Sequence, residues 1–169
     1  PDSVNNDQAK SCVSDIFNLG VPVLGICYGM QLMARAMGGD VVTVDIAEFG
    51  YTTAEFVDHP LFVGVTSPGT VWMSHRDAVS KLPTGFRAIA KTSNCSNAAI
   101  ANDEKRLYGV QFHPEVKHTN HGQDIIVNFL TKICGCVCDW RMEDLAKVLV
   151  EDIRRQVGDS RVISALSGG

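Results

Sequence analysis

A chain of 169 residues with 45% hydrophobic content is long enough for one α/β domain and part of another, and apolar enough to bury a core. Its net charge of −4 offers no basic surface to a polyanion, which argues against nucleic acid, and no apolar run approaches the roughly 18 residues of a membrane span. Six scattered cysteines are too few for a disulfide scaffold and nothing at the amino end reads as a signal peptide, so a reducing, cytoplasmic setting is expected.

The first predicted helix runs from about Asp7 to Leu19, with Ala9, Cys12, Val13, Ile16 and Phe17 on one face and Gly20 as its stop. On that reading Cys12 is a core residue. Val21-Pro22-Val23-Leu24 follows as a short apolar strand, of the kind a parallel sheet buries on both faces. Gly25-Ile26-Cys27-Tyr28-Gly29 then places one cysteine between two glycines where strand gives way to helix. Met30, Met33, Ala34 and Met37 recur at helical spacing, and Gly38-Gly39 end the run. So sharp a turn calls for residues without Cβ on either side of its middle, and the helix dipole favours a thiolate at that position. Cys27 is therefore a candidate nucleophile. The same pattern fits a small buried structural cysteine, so a catalytic reading requires a partner elsewhere.

Val41 to Val44, Tyr51 to Val57 and Val71 to Met73 suit strands better than helices, and Phe86 to Lys91 and Ala98 to Ala101 continue the pattern. Asn102-Asp103-Glu104-Lys105-Arg106 is polar enough to turn one strand into the next, making Ala98 to Phe112 a hairpin. That hairpin delivers His113 to the carboxyl edge of the sheet, where open α/β sheets gather their active sites. Two residues of extended chain advance about 6.6 Å and return to the same face, so Glu115 can turn back to the His113 ring, and Pro114 restricts the geometry between them. Cys27 attacking, His113 moving the proton and Glu115 orienting the imidazole make up a triad. His59 reads as a solvated loop residue, and His118 and His121 as surface residues.

The next helix carries Ile125, Ile126, Phe129, Leu130 and Ile133 as its buried stripe and ends at Gly135. Cys134, Cys136 and Cys138 are spaced more tightly than zinc ligands from one loop, so no metal is expected there. Composition changes near Trp140. Met142, Leu145, Ala146, Leu149, Ile153 and Val157 repeat at helical spacing, and a strand is predicted from Arg161 to Leu166, ahead of Ser167-Gly168-Gly169. The expected organisation is a first domain over residues 1–138 and the start of a second over 139–169, without internal repeats.

Three motifs, in order along nearly the whole chain, resemble the class I (triad) glutamine amidotransferase family: Gly25-Ile26-Cys27-Tyr28-Gly29-Met30-Gln31, Trp72-Met73-Ser74-His75, and Gly109-Val110-Gln111-Phe112-His113-Pro114-Glu115-Val116. Glu48-Phe49-Gly50-Tyr51 and the exit from Val162 to Gly169 resemble the branch of that family that serves guanine nucleotide synthesis. The resemblance implies an α/β fold, a three-layer open mixed sheet flanked by helices and similar to flavodoxin, followed by the beginning of a second α/β domain. It implies hydrolysis of L-glutamine to glutamate and ammonia, with a glutamyl thioester on Cys27 and the triad completed by His113 and Glu115. The Tyr28 backbone N–H would be half of the oxyanion hole, and Gln31, Ser74, His75 and Asp77 would hold glutamine.

The amidotransferase part would need no cofactor. Its ammonia would pass to a synthetase domain of the ATP pyrophosphatase type, where ATP and magnesium support amination of XMP to GMP, and Ser167, Gly168 and Gly169 would open the ATP-binding loop. The full-length protein would be a homodimer. Alternatives are the glutaminase of anthranilate or carbamoyl phosphate synthesis, or a catalytically silent regulatory module. By the same resemblance the second oxyanion donor is a glycine N–H immediately before Pro1, preceded by a further central strand, so these residues by themselves are expected to be poorly stable and almost inactive. Two positions depart from the family pattern. Arg76 stands where glycine is usual, and a positive φ there would cost about 1 kcal/mol and disturb the grip on glutamine. Ala47 stands where an arginine is common.

Overall fold

The computed structural model describes residues 3–6, 8–139 and 141–165. The chain divides into two compact units, Pro1–Cys136 and Val137–Gly169. The strands of the first unit are β1 (Val23–Ile26), β2 (Asp40–Phe56), β3 (Gly69–Lys81), β4 (Arg87–Lys91), β5 (Ala99–Asn102) and β6 (Leu107–Val110). They form one mixed, curled sheet in the order β1-β6-β5-β4-β2-β3. β1 and β6 run parallel with Ile26 opposite Val110, and the other pairs are antiparallel. α1 (Tyr28–Ala36) follows β1 directly, and α2 (Gly122–Asn128) follows β6 after a loop and continues as a π-helical turn over Phe129–Ile133.

The period of two along a strand sorts the core into two layers. Ile100 and Leu107 point to a cluster built on Met30, Met33 and Ala34 of α1. Ala99, Ala101, Tyr108 and Val110 point the other way, into a cluster that holds Ile125 and is packed by Phe129. Helices thus cover both faces of the β5–β6 hairpin, which accounts for the burial of every residue in those two strands. β1 has only β6 beside it among the described residues, and its side chains are mostly half-buried.

Several expectations are corrected. Among the described residues of the helix expected from Asp7 to Leu19 there is one 3₁₀ turn, Ser14–Asn18, in which only Phe17 is buried. Val13 and Ile16 are exposed, as is Cys12, which is not a core residue. The segments 41–44 and 51–57 are parts of the single 17-residue strand β2, whose pairing with β3 shifts register between Thr43 and Glu48. That shift breaks the alternation that would have marked one long strand. Leu130 is exposed and leaves the stripe of its helix, because the π-turn rotates it off the α-helical face. His59 is buried: Nδ1 accepts the Leu61 N–H at 3.1 Å and Nε2 meets Asp103 Oδ1 at 3.0 Å.

In the second unit α3 (Met142–Val157) is present, while residues 161–165 form no strand. Ser167, Gly168 and Gly169 lie outside the described residues, as does Pro1. Among the described residues no helix is long and apolar enough to cross a membrane.

Candidate active site

The parallel pair ends at the same level, and everything that follows depends on it. The Cys27 N–H donates to Val110 O at 2.7 Å, carrying the β1–β6 ladder one residue past the last paired position. The chain then turns at Cys27 itself, with φ +49° and ψ −105°, into the first turn of α1. A non-glycine residue in that region is strained by about 1 to 3 kcal/mol, a cost borne by the surrounding packing.

The flanking glycines are not equivalent. A Cβ on Gly25 would lie 2.7 Å from the backbone of Gly29 and Met30, whereas a Cβ on Gly29 would meet nothing within 4 Å. Close approach of α1 to β1 therefore demands glycine at 25 and leaves 29 free. Gly109 in β6 serves the same approach, since its Cβ would come within 2.6 Å of the Met30 side chain.

Cys27 is buried, with 8% of the residue exposed. Sγ donates to Ser74 O at 3.8 Å and accepts from Gln111 Nε2 at 3.5 Å. Burial pushes the Cys27 thiol above its ordinary pKa; the Tyr28 N–H and the Gln111 amide pull it down, and the Glu115 charge pushes it up again. The expected lowering by the helix terminus is thus outweighed by desolvation, and the resting group is a thiol.

His113 is fixed by its main chain. Its N–H donates to Trp72 O at 3.0 Å, and its C=O accepts from Thr119 Oγ1 at 2.6 Å, which in turn accepts the Trp72 N–H at 2.9 Å. Nδ1 lies 2.7 Å from Glu115 Oε1. A carboxylate only accepts, so Nδ1 carries the hydrogen and Nε2 of the neutral ring keeps its lone pair. Residues 114–115 form a turn rather than the extended chain expected, and this brings the carboxylate back to the ring. Cys27, Tyr28, Ser74, His113 and Glu115 line one cleft of about 700 Å³. Among the described residues no hydrogen bond joins Sγ to His113. Catalytic contacts in ligand-free sites commonly tighten only when substrate is bound.

A second cavity of about 530 Å³ also opens at Cys27, and Tyr28, Gln31, Ser74, His75, Arg76 and Asp77 line it. All four expected glutamine-holding residues are therefore brought together beside the thiol. Their side chains are largely committed to one another and to the protein. His75 Nδ1 meets Asp77 O at 3.0 Å, while Nε2 meets Glu48 Oε2 at 3.0 Å, both groups being buried. Glu48 Oε1 accepts from Thr92 Oγ1 at 2.8 Å. The Asp77 carboxylate accepts from Thr43 Oγ1 at 2.7 Å and from Ser3 Oγ. Arg76 lies in β3 and is not among the residues of positive φ, so the strain feared for this position is absent.

Glu48 and Gln111 are the site residues for which the sequence suggested no role, although both stand inside recognised motifs. Each reads as one polar residue on a strand until its buried partners are known. Glu48, His75 and Cys95 also bring one ligand atom each within 4.8 Å of one another, the arrangement among the described residues that could hold a metal. Against that use, His75 Nε2 is already engaged by Glu48, and burial pushes the Cys95 thiol up to about 11. Cys136 and Cys138 are exposed and Cys134 is half-buried.

Residues 1–133 match the family model for glutamine amidotransferase class-I. The chain is 50% identical over 170 residues to the GMP synthase [glutamine-hydrolyzing] of Acetivibrio thermocellus and 48% identical over 169 residues to that of Macrococcus caseolyticus. Each alignment covers all of this chain and 33% of the relative, so the chain spans about a third of those proteins. Among solved structures it is similar to a Thermoplasma acidophilum protein taken to be one subunit of a GMP synthase. The TM-score is 0.68 at 33% identity, covering 80% of this chain and 64% of that one.

Proposed function

The chain belongs to the class I glutamine amidotransferase family, and from that premise we propose that it hydrolyses L-glutamine to glutamate and ammonia through a thioester on Cys27. One observation carries the reading: a buried cysteine on a strained strand-to-helix turn shares a cleft with an imidazole whose Nδ1 is held by a carboxylate at 2.7 Å. Because burial keeps the thiol protonated, it needs a base, and His113 Nε2 is the lone pair available in that cleft.

Glutamine binds in the cavity bounded by Gln31, Ser74, His75 and Asp77, with its carboxamide carbon at the sulfur. The thiol proton passes to His113 and sulfur attacks, giving a tetrahedral intermediate whose oxyanion takes the Tyr28 N–H. Glu115 stabilises the imidazolium, which then returns the proton to the departing ammonia. Water, deprotonated by the same histidine, opens the thioester and restores the thiol.

The ammonia is used to aminate XMP to GMP in an ATP- and magnesium-dependent synthetase portion of the protein. The similarity to GMP synthases supports this acceptor over those of anthranilate or carbamoyl phosphate synthesis, and the complete set of triad side chains speaks against a silent module. On this reading residues beyond 138 begin the synthetase portion, with Ser167, Gly168 and Gly169 at its nucleotide loop, in a cytoplasmic homodimer. The test is Cys27→Ala in the intact protein. Glutamine hydrolysis is expected to vanish while GMP formation from added ammonia persists; hydrolysis at near-normal rate would contradict the assignment.

A further inference from the structure

Gln111 is wholly buried, 0% exposed, one residue beyond β6. Its side chain stands in a line of hydrogen bonds that ends on the sulfur. Gln31 Nε2 lies 2.8 Å from Asp77 O and 3.2 Å from Gln111 Oε1, and Gln111 Nε2 lies 3.5 Å from Cys27 Sγ. The direction of each bond is determined. A main-chain carbonyl can only accept, so Asp77 O obliges Gln31 to face it with nitrogen rather than oxygen. The second hydrogen on that nitrogen then requires Gln111 to present its oxygen, which leaves the Gln111 NH₂ group facing sulfur. The anchoring carbonyl is itself held from another direction by His75, whose Nε2 is fixed in turn by Glu48. A buried chain of four side chains and one carbonyl therefore delivers a donor, not an acceptor, to the nucleophile.

We propose that Gln111 is a catalytic residue that holds the Cys27 thiolate, and that Gln31 is the positioning residue that turns the Gln111 amide toward sulfur. A buried thiolate exists twice in the cycle, after His113 takes the thiol proton and again when the thioester is opened. A hydrogen bond to the charged sulfur is stronger than one to the neutral thiol or to the thioester, so the contact stabilises the states that need it. The Tyr28 N–H cannot give full support to sulfur and to the oxyanion at once, whereas the Gln111 amide is dedicated to sulfur. The inference rests on Cys27 being the nucleophile.

The experiment is the rate of Cys27 carboxamidomethylation by iodoacetamide at fixed neutral pH in the intact protein, followed on the Cys27 peptide by mass spectrometry and paired with glutaminase kinetics. Gln111→Met keeps the volume and removes the donor. Gln111→Glu keeps an acceptor for Gln31 but sets a carboxyl group against sulfur, and that group ionises ahead of the thiol and opposes it. A donor role predicts alkylation slowed about tenfold in the Met variant and further in the Glu variant, with kcat falling and the KM for glutamine little changed. A role confined to bracing Gln31 predicts the opposite order, the Glu variant being the milder, with the change in KM.

That reversed order, or wild-type rates in both variants, would overturn the proposal. Should either Gln111 variant fail to fold, Gln31→Met decides: slower alkylation supports the relay and an unchanged rate overturns it. Retained hydrolysis in Cys27→Ala would instead sink the nucleophile assignment. Full dependence on Cys27, with alkylation indifferent to residue 111, would sink this inference alone.

Discussion

Two four-residue strands and two long ones supply the halves of this site, and they do so by different means. β1 and β6 bring Cys27 and His113 to one level through main-chain bonds and glycine contacts: the parallel register at Ile26 and Val110, the Cys27 N–H on Val110 O, and Gly25 under α1, with one main-chain bond from the ribbon, Trp72 O of β3 to the His113 N–H. The ribbon of β2 and β3 is exposed along much of its length, with Phe49 and Tyr51 61% and 66% exposed. It shapes the cavity proposed for glutamine through side chains, Glu48 to His75 to the Asp77 carbonyl, and Thr43 to the Asp77 carboxylate. Chemistry thus sits on backbone geometry that few residues can reproduce. The proposed grip on substrate sits on a network in which one position can vary without deforming its neighbours.

Substitutions on the parallel side should break the molecule or its chemistry. His113→Ala is expected to lower glutamine turnover by about 10² to 10⁴, the usual worth of a positioned proton carrier, and Glu115→Gln by less. An amide can still accept from Nδ1 but cannot stabilise imidazolium. Steady-state kinetics on both variants check the order, and a Glu115 variant slower than the His113 variant would contradict the roles. Gly25→Ala forces a Cβ into backbone at 2.7 Å and should cost about 3 kcal/mol of stability. Gly29→Ala, in open space on α1, should be neutral or slightly stabilising. Denaturant unfolding of the pair measures this directly, and equal losses would show that the elbow needs both glycines. On the ribbon, Arg76→Gly should change the KM for glutamine by no more than about twofold, as expected of an exposed side chain on unstrained backbone.

The same division decides what could be read from the sequence. Cys27, His113 and Glu115 were legible because short apolar strands, glycines and a proline around them are local signals. The ribbon was not, because the register shift between Thr43 and Glu48 splits the alternation of β2 into fragments. Cys12, Val13 and Ile16 have helical spacing but no surface to cover, and periodicity without a partner face does not make a helix. His59 was misread as solvated, and Glu48 and Gln111 were given no role, for a common reason: a buried polar residue is recognised by its partners, which here lie 44, 27 and 80 positions away. The symmetrical need for glycine around Cys27 was an overextension, since the helix approaches the strand on one side of the turn only.

In the proposed reaction the sulfur of Cys27 bonds covalently to the substrate. Acid quenching of the intact protein during glutamine turnover, followed by mass spectrometry of its peptides, tests this most directly. A glutamyl adduct is expected on the peptide carrying Cys27, absent before substrate is added and absent in Cys27→Ala. Continued turnover by protein whose Cys27 peptide is never modified, or an adduct on another residue, would contradict it.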